Sequence, residues 1–357
     1  MDYPREHKEE RPVVAICYDF DKTLSPNDMQ AQGYIQSVGY DISQFWKESN
    51  GMAQANDMDQ NLAYMYKMVR TAYGRFVFNK QALADYGAKV VLFPGVNEWF
   101  DRIRQFGAEH GVIVEHYIIS SGLKEMIEGT EAAKSGAFKK IYASSFYFDE
   151  QGVATWPAQV INYTNKTQFL FRIEKGVLDI NDPGVNEFFP PEQLRVPFRN
   201  MVYIGDSDTD VPCMKLVNSH GGHSIGVYNP DTADKTKVHK MISDNRIRYF
   251  APADYTDGSQ LDKLIRDIIL ATAAREKLEN FHIDAVAETR EELKKAETVS
   301  TLTKANDYSQ SKGITLADLI TQYVNASRVI AESESMKNLI RYFGTSGITS
   351  SEDEKDE

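Results

Sequence analysis

The sequence predicts an α/β protein built on a doubly wound parallel sheet. Strand-like and helical segments alternate along most of the 357 residues, which is typical of parallel strands joined by crossover helices. The strand predicted at Val13–Tyr18 is apolar throughout, as expected for a strand covered on both faces. It is followed by two carboxylates, and a second apolar run, residues 201–204, is followed by Gly205 and Asp206. Ligands bind at the carboxyl edge of such sheets, so the functional site is predicted there.

Asp19 and Asp21 directly follow the first strand and lie two residues apart. Residues i and i+2 of a strand point to the same side, so both carboxylates are expected to leave the sheet edge together. Adjacent carboxylates repel each other, and a hard cation that takes oxygen ligands relieves the repulsion. The sequence therefore predicts a cation site at this edge.

The chain after Thr23 does not pass directly into a core helix. Its apolar residues are spaced by three and four, which predicts helices at residues 30–38, 59–73 and 76–86. The core pattern resumes near residue 90, where Pro94 and Gly95 precede a helix expected to end near Phe106. We therefore predict an α/β core of residues 1–24 and 90–272, a helical cap of residues 25–89, a helical extension of residues 273–345 and an acidic tail of residues 346–357.

The remaining core elements follow the same alternation. Strands are predicted at residues 112–120, 138–148, 160–163, 201–204, 224–228 and 247–251, and helices at 123–133 and 166–175. Beyond residue 261 the pattern is almost wholly helical. An apolar stripe with helical spacing lies there, formed by Leu316, Leu319, Ile320, Tyr323, Val324 and Ile330. The stripe either docks on the protein's own core or forms the face of a homodimer.

The composition of the chain argues against several kinds of partner and indicates its cellular compartment. A formal net charge of −12 argues against nucleic acid and anionic membrane surfaces as partners. Cys17 and Cys213 match neither a disulfide framework nor a Cys-x-x-Cys motif, which indicates a reducing compartment. Residues 1–12 have no secretory signal, and no apolar run is long enough to span a bilayer. We therefore expect a cytoplasmic protein.

Four short motifs follow one another along the core. They are Asp19-x-Asp21-x-Thr23, Ser120 at the end of the second strand, Lys166 at a helix start, and Gly205-Asp206-Ser207-Asp208-Thr209-Asp210. In a doubly wound sheet such strand ends converge on one crevice. In these motifs the chain resembles the haloacid dehalogenase (HAD) superfamily in its phosphatase branch. It looks most like phosphoserine-phosphatase-like members, whose helical cap is inserted directly after the first strand. The resemblance covers roughly residues 13–272 and does not account for the C-terminal helices.

The resemblance implies a catalytic role for each residue of the first motif. Asp19 corresponds to the nucleophile that forms an aspartyl-phosphate. Asp21 corresponds to the general acid that protonates the leaving oxygen and then acts as the base that activates water. Thr23 is implied to brace this loop and to orient Asp21. Because Asp21 is present, ester hydrolysis is favoured over carbon–halogen cleavage.

The resemblance also implies how metal and phosphate are held. The implied Mg²⁺ site consists of the Asp19 carboxylate, the Asp21 backbone carbonyl, Asp206, and Asp210, which either binds a metal-bound water or orients Lys166. Ser120 and Lys166 would hold the phosphoryl oxygens, with Lys166 offsetting their charge.

Two of these assignments have alternatives. Ser121 could replace Ser120, but Ser120 fits the family's Ser-x-Gly-apolar pattern better. Lys175 could replace Lys166, but Lys166 follows a strand and opens a helix, whereas Lys175 closes one. A lysine at a helix end is usually a solvated charge.

Together these features predict a magnesium-dependent phosphatase that acts on a small phosphomonoester, with a phosphoserine-like substrate as the first expectation. Asn27, Asp28 and Gln30 follow the nucleophile loop and are the expected substrate contacts. Two other functions stay open. A phosphotransferase would deliver the same aspartyl-phosphate to an alcohol, and a non-catalytic scaffold would only bind phosphate.

Overall fold

The computed structural model describes residues 3–322. Within these residues the strands form one seven-stranded sheet, made of β1 (Val13–Tyr18), β2 (Ile113–Leu123), β3 (Lys140–Phe148), β4 (Ala154–Gln159), β5 (Met201–Gly205), β6 (His223–Tyr228) and β7 (Tyr249–Pro252). The strand order is β4-β3-β2-β1-β5-β6-β7. All neighbouring pairs are parallel except β3 and β4, which are antiparallel. The predicted fold class is confirmed.

Most of the helices lie between strands of this sheet in the sequence, and α11 follows the last strand. In the described residues they are α1 (Tyr34–Ser37), α2 (Ile42–Ala55), α3 (Gln60–Ala72), α4 (Lys80–Gly87), α5 (Val96–Glu109), α6 (Lys124–Glu128), α7 (Glu131–Lys134), α8 (Thr167–Lys175), α9 (Val211–Ser219), α10 (Thr236–Ser243) and α11 (Gln260–Ser311). Single 3-10 turns occur at Met29–Ala31, Tyr163–Lys166, Pro183–Asn186, Pro191–Gln193 and Phe198–Asn200.

Strand β1 lies in the middle of the sheet and all six of its residues are buried. Val14, Ile16 and Tyr18 belong to one hydrophobic cluster, whereas Ala15 and Cys17 belong to a second. Because alternate side chains of a strand point to opposite faces, the two clusters are the two layers of the doubly wound core.

Helices α1 to α4 form an insertion between β1 and α5. The insertion meets the core where α4 crosses α6. At Gly87 a Cβ would overlap the carbonyl oxygen of Met126, and at Gly129 a Cβ would overlap that of Ala84. Beside this crossing, Ala154 N donates to Phe78 O at 2.8 Å. The insertion is therefore joined to the core by close contacts between backbones.

Two predicted elements of the core are wrong in detail. Residues 160–163 form no strand, because the edge strand β4 ends at Gln159 and Asn162 caps a 3-10 turn instead. The single helix predicted at residues 123–133 is split into α6 and α7, because Thr130 N-caps a new helix by accepting a hydrogen bond from Ala133 N.

The chain divides into two compact units, Met1–Lys277 and Leu278–Glu357. In the described part of the second unit, large apolar side chains such as Leu278, Phe281 and Leu293 are exposed. Of the predicted apolar stripe, Leu316, Leu319 and Ile320 are helical, and Tyr323, Val324 and Ile330 lie outside the described residues. No helix within residues 3–322 is both long enough and apolar enough to cross a membrane.

Candidate active site

The predicted site residues lie at the carboxyl edge of the sheet. In the strand register, Tyr18 of β1 lies beside Ile118 of β2 and Ile204 of β5. The residues that follow Tyr18 and Ile204 therefore leave the sheet at nearly one level, beside the last part of β2, which continues to Leu123. Asp19 N donates to Ile204 O at 2.9 Å, which fixes the first loop against the end of β5.

The loop after β1 is a tight turn in which the amides of Thr23 and Leu24 both donate to Phe20 O. Within it, Asp21 Oδ1 accepts a hydrogen bond of 2.8 Å from Met29 N. Burial, and next the charges of Asp28 and Asp19, raise the pKa of Asp21 well above its usual value. Both causes disfavour the ionised form of Asp21, and a carboxyl group whose neutral form is favoured is suited to donate a proton.

Ser120 and Ser121 have different surroundings. Ser120 is buried, its Oγ accepts from Gly122 N at 3.1 Å, and its side chain acts to lower the pKa of the Asp19 carboxyl. The Ser121 carbonyl instead accepts from Tyr64 OH at 2.8 Å, and its own hydroxyl has no hydrogen-bond partner among the described residues. Ser120 is therefore the serine that faces Asp19.

Lys166 is the cation of the site and is completely buried. Its Nζ lies 2.7 Å from Asp210 Oδ1 and 3.3 Å from Asp19 Oδ1. Burial acts to lower the pKa of Lys166, but the two carboxylates outweigh it and raise the pKa above its usual value. Lys175 lies elsewhere, where it donates to the carbonyls of Val185 and Glu187.

Asp19, Asp206 and Asp210 form a carboxylate cluster with one oxygen of each within 4.8 Å of the others. Burial, followed by the charge of Asp210, raises the pKa of Asp19 to about 6. Burial, followed by the charges of Asp210 and Asp19, raises the pKa of Asp206 to about 7. The Lys166 ammonium pairs with Asp19 and Asp210, and one such cation does not balance three carboxylates. Because carboxylate oxygens are ligands that Mg²⁺ prefers, the three residues fit a divalent cation.

Asp210 has a different part in this cluster. Its Oδ1 accepts from Lys166 and from Tyr203 OH, at 2.7 and 2.9 Å. Its Oδ2 accepts from the amide and the hydroxyl of Ser207, at 3.0 and 2.9 Å. A Cβ at position 205 would lie 2.6 Å from Asp210 Cγ, so Gly205 makes this position of the carboxylate possible. Asp210 thus orients Lys166, whereas Asp19 and Asp206 retain oxygens for a cation.

The predicted substrate contacts are partly engaged within the protein. Asp28 Oδ1 pairs with Lys22 Nζ at 2.8 Å, and the Asn27 carbonyl accepts from Ser25 Oγ at 3.1 Å. Gln30 is buried in the 3-10 turn that begins at Met29. The Thr23 hydroxyl, also buried, has no hydrogen-bond partner in residues 3–322.

Sequence reasoning missed Tyr203, Ser207 and Tyr64 as neighbours of the site. Tyr203 could have been found, because it lies two residues before Gly205 on a short strand and therefore shares one face with it. Nothing in the sequence pairs Tyr64 with Ser121, since the two residues are 57 positions apart.

The chain is similar to a protein family, to a bacterial protein and to several solved structures. The family model of haloacid dehalogenase-like hydrolases matches residues 16–215. An uncharacterized protein of Borreliella burgdorferi is 29% identical over 289 residues, which cover 73% of this chain and 98% of that protein. Among solved structures, a HAD family hydrolase from Salmonella enterica serovar Typhi has a TM-score of 0.47 at 16% identity, with 72% of each chain covered. A phosphoserine phosphatase from T. onnurineus has a TM-score of 0.41 at 15% identity, covering 72% of this chain and 95% of the other.

Proposed function

The chain belongs to the haloacid dehalogenase-like hydrolase family, and from this premise we propose that it is a magnesium-dependent phosphatase of small phosphomonoesters. The observation that carries the proposal is the position of Asp19. Its carboxylate lies 3.3 Å from the buried Lys166 ammonium, and Asp21, whose pKa is raised by burial, lies two residues further along the same loop. This proximity supports Asp19 as the nucleophile, Lys166 as the cation and Asp21 as the acid.

The proposed reaction has two steps. First, an Asp19 oxygen bonds to phosphorus while the bond from phosphorus to the leaving oxygen breaks, and Asp21 gives its proton to that oxygen. Then water attacks the aspartyl-phosphate and transfers a proton to Asp21, which frees Asp19 and releases phosphate. Ser120 and Lys166 hold the phosphoryl oxygens in both steps, and Thr23 braces the loop.

Magnesium would be held by the carboxylates of Asp19 and Asp206 with the backbone carbonyl of Asp21. When bound, it neutralises charge on the phosphoryl oxygens. Asp210 contributes by fixing Lys166, since its four hydrogen bonds occupy both of its oxygens.

The finer assignments belong to the same proposal. A phosphoserine-like substrate is the first candidate, with Asn27, Asp28 and Gln30 as its contacts. A cytoplasmic location is supported by Cys17 and Cys213, which are both free thiols and buried. A homodimer through the C-terminal helices is supported by the exposed apolar side chains of Leu278, Phe281 and Leu293.

The test is release of inorganic phosphate from a panel of phosphomonoesters, with magnesium and after chelation. Asp19→Asn and Asp21→Asn are expected to lose turnover by about a thousandfold or more, as is usual when a covalent nucleophile or its acid is removed. Asp208→Asn, an exposed residue of the Gly205 loop, is the matched control and should retain activity.

Activity that survives Asp19→Asn would overturn the assigned nucleophile. Acceptor alcohols added to the assay separate the alternatives, because a phosphotransferase would form new phosphoesters in place of free phosphate. A protein that binds phosphate without any turnover would instead be the non-catalytic scaffold.

A further inference from the structure

We propose that Asp59, Asn61 and Tyr64, at the start of α3, are positioning residues that couple the insertion to the two loops carrying Lys166 and Ser120. This inference rests on the proposed function for its kinetic consequence. Its structural part is independent of the reaction, because it concerns hydrogen bonds between the insertion and the core.

The first contact uses a single carboxylate for two purposes. Asp59 Oδ1 caps α3 by accepting from the amides of Asn61 and Leu62, at 2.8 and 3.1 Å. Its other oxygen, Oδ2, accepts from Asn162 Nδ2 at 3.1 Å. The residue that begins a helix of the insertion therefore also holds the core segment before Lys166.

That core segment is a strained turn. Asn162 caps the 3-10 turn Tyr163–Lys166, and its amide donates to Asn165 Oδ1 at 2.7 Å. Tyr163 has a φ of 39°, a left-handed conformation that a bulky side chain adopts only where its surroundings enforce it. Asn61 adds a second hold on this segment, because its Nδ2 donates to Ile161 O at 2.7 Å. The contacts from α3 thus help to enforce the turn that ends at Lys166.

The third contact reaches the phosphate-binding serine. Tyr64 is buried, and its hydroxyl donates to Ser121 O at 2.8 Å. The adjoining Ser120 Oγ accepts from Gly122 N, so the peptide held by Tyr64 lies inside the turn that places Ser120. Trp46 of α2 packs edge-on against the Tyr64 ring, with centroids 5.8 Å apart, and fixes its direction.

These contacts lie at the side of the insertion that is easier to release. Asp19 is 5% exposed and Lys166 is 0% exposed, so the chain around them has to rearrange before a substrate can reach both side chains. At the α4–α6 crossing the backbones touch, whereas at α3 the contacts are three side-chain hydrogen bonds. Opening at α3 frees both loops, and closing restores their geometry around a bound phosphate.

An exchange of donor and acceptor tests the coupling. Asp59→Asn preserves the helix cap, because asparagine caps as well as aspartate. It places an amide against the Asn162 amide, however, and the hydrogen bond is lost. Asn162→Asp places two carboxylates together. The double variant Asp59→Asn/Asn162→Asp restores one hydrogen bond with the roles reversed and leaves the net charge unchanged.

Two readouts are taken on the full-length chain. With p-nitrophenyl phosphate as the probe, each single variant should lower kcat about tenfold with little change in KM, because the misplaced groups act in the transition state. The double variant should recover to within about threefold of the wild type. In hydrogen exchange, deuterium uptake over residues 160–166 should rise in the single variants and return to the wild-type level in the double variant.

Tyr64→Phe removes only the hydroxyl and should likewise lower kcat. Its matched control is Tyr86→Phe, since Tyr86 OH donates to Ser37 within the insertion and contacts neither loop. The coupling is overturned if the single variants match the wild type in both readouts, or if the double variant is as impaired as the single ones. If the wild type releases no phosphate from any ester, the proposed function fails while hydrogen exchange still decides the coupling.

Discussion

Glu115 and Arg195 form a buried ion pair at the amino end of β2, away from the site. Both guanidinium Nη atoms donate to the carboxylate at 2.7 Å, and Tyr117 OH donates to it as well. Burial alone would raise the pKa of Glu115, but the hydrogen bonds from Arg195 and Lys139 outweigh it and bring the pKa to about 2. The ionised form is therefore the one that stabilises the fold.

The consequence is a stability that falls in acid. The folded pKa of Glu115 lies below its ordinary value of 4.5, so its contribution is complete above pH 4.5 and is lost as the pH falls towards 2. Glu115→Gln should destabilise the protein at pH 5.5 by about 3 kcal/mol, because the buried Arg195 loses its bidentate partner and keeps only the contacts with Glu6 at 3.0 Å and Glu9 at 3.8 Å. At pH 3.0 the difference from the wild type should be smaller by about 2 kcal/mol.

Urea denaturation of both proteins at the two pH values measures this change. Glu150→Gln, at an exposed turn, is the control and should follow the wild type at both. If the free energies of unfolding of Glu115→Gln and the wild type differ by the same amount at pH 5.5 and pH 3.0, the assigned pKa is contradicted.

At the residue scale, the site residues that could be predicted are those indicated by the sequence immediately around them. Asp19, Asp21 and Asp206 were predicted as site residues because each lies within three residues after an apolar strand. The role of Asp210 was left open, and its four hydrogen bonds now favour orientation of Lys166. The contact between Asp59 and Asn162 joins residues 103 positions apart, and no local sequence pattern predicts such a contact.

The crossing of α4 and α6 is the clearest constraint at the scale of elements. Gly129→Ala would drive a methyl group into the carbonyl of Ala84, so the two helices must separate. We expect a loss of about 2 kcal/mol or more in the free energy of unfolding, since backbone cannot yield as a flexible side chain does. We also expect lower kcat, because α4 belongs to the insertion that contacts the loops of Ser120 and Lys166.

Gly51→Ala is the matched control in α2, where a Cβ meets nothing within 4 Å. It should stabilise the protein by about 0.5–1 kcal/mol, as alanine favours helix more than glycine does. Thermal unfolding and phosphate release measure both variants. A Gly129→Ala protein as stable as the wild type would show that the crossing tolerates a side chain.

Elements with a strong periodic pattern were predicted, and weak ones were missed. Helix α2 lies in the segment predicted to be helical, but no individual helix was predicted there, because its buried positions are only Phe45, Ser49 and Ala53, too sparse and too polar for an apolar stripe. The strand expected at residues 160–163 has the right composition, yet Asn162 turns the chain there. In that case turn chemistry overrode β propensity.

At the scale of the whole molecule, every residue of the candidate site lies in the first compact unit, Met1–Lys277. This unit also keeps the ion pair between Arg199 and Glu276, at 2.8 Å. A chain ending at Lys277 should therefore fold and retain phosphate release within about twofold of the full chain. Circular dichroism and steady-state kinetics test this expectation.

The same pair of proteins tests the proposed homodimer. If the C-terminal helices associate, the full chain sediments at twice its 40.5 kDa mass and the shortened chain sediments as a monomer. Equal association states would remove these helices as the dimer face. Lost activity in a well-folded shortened chain would show that the second unit serves the reaction.

The three tryptophans occupy three distinct environments. Trp156 on the edge strand is 72% exposed, Trp99 is buried and donates to Tyr18 OH, and Trp46 packs on Tyr64. Iodide should thus quench the emission of Trp156 and leave that of Trp99 unchanged. With Trp156→Phe as background, a red shift in the remaining fluorescence would report solvent reaching the Trp46 indole, so movement of the insertion could be timed by stopped flow without any attached dye.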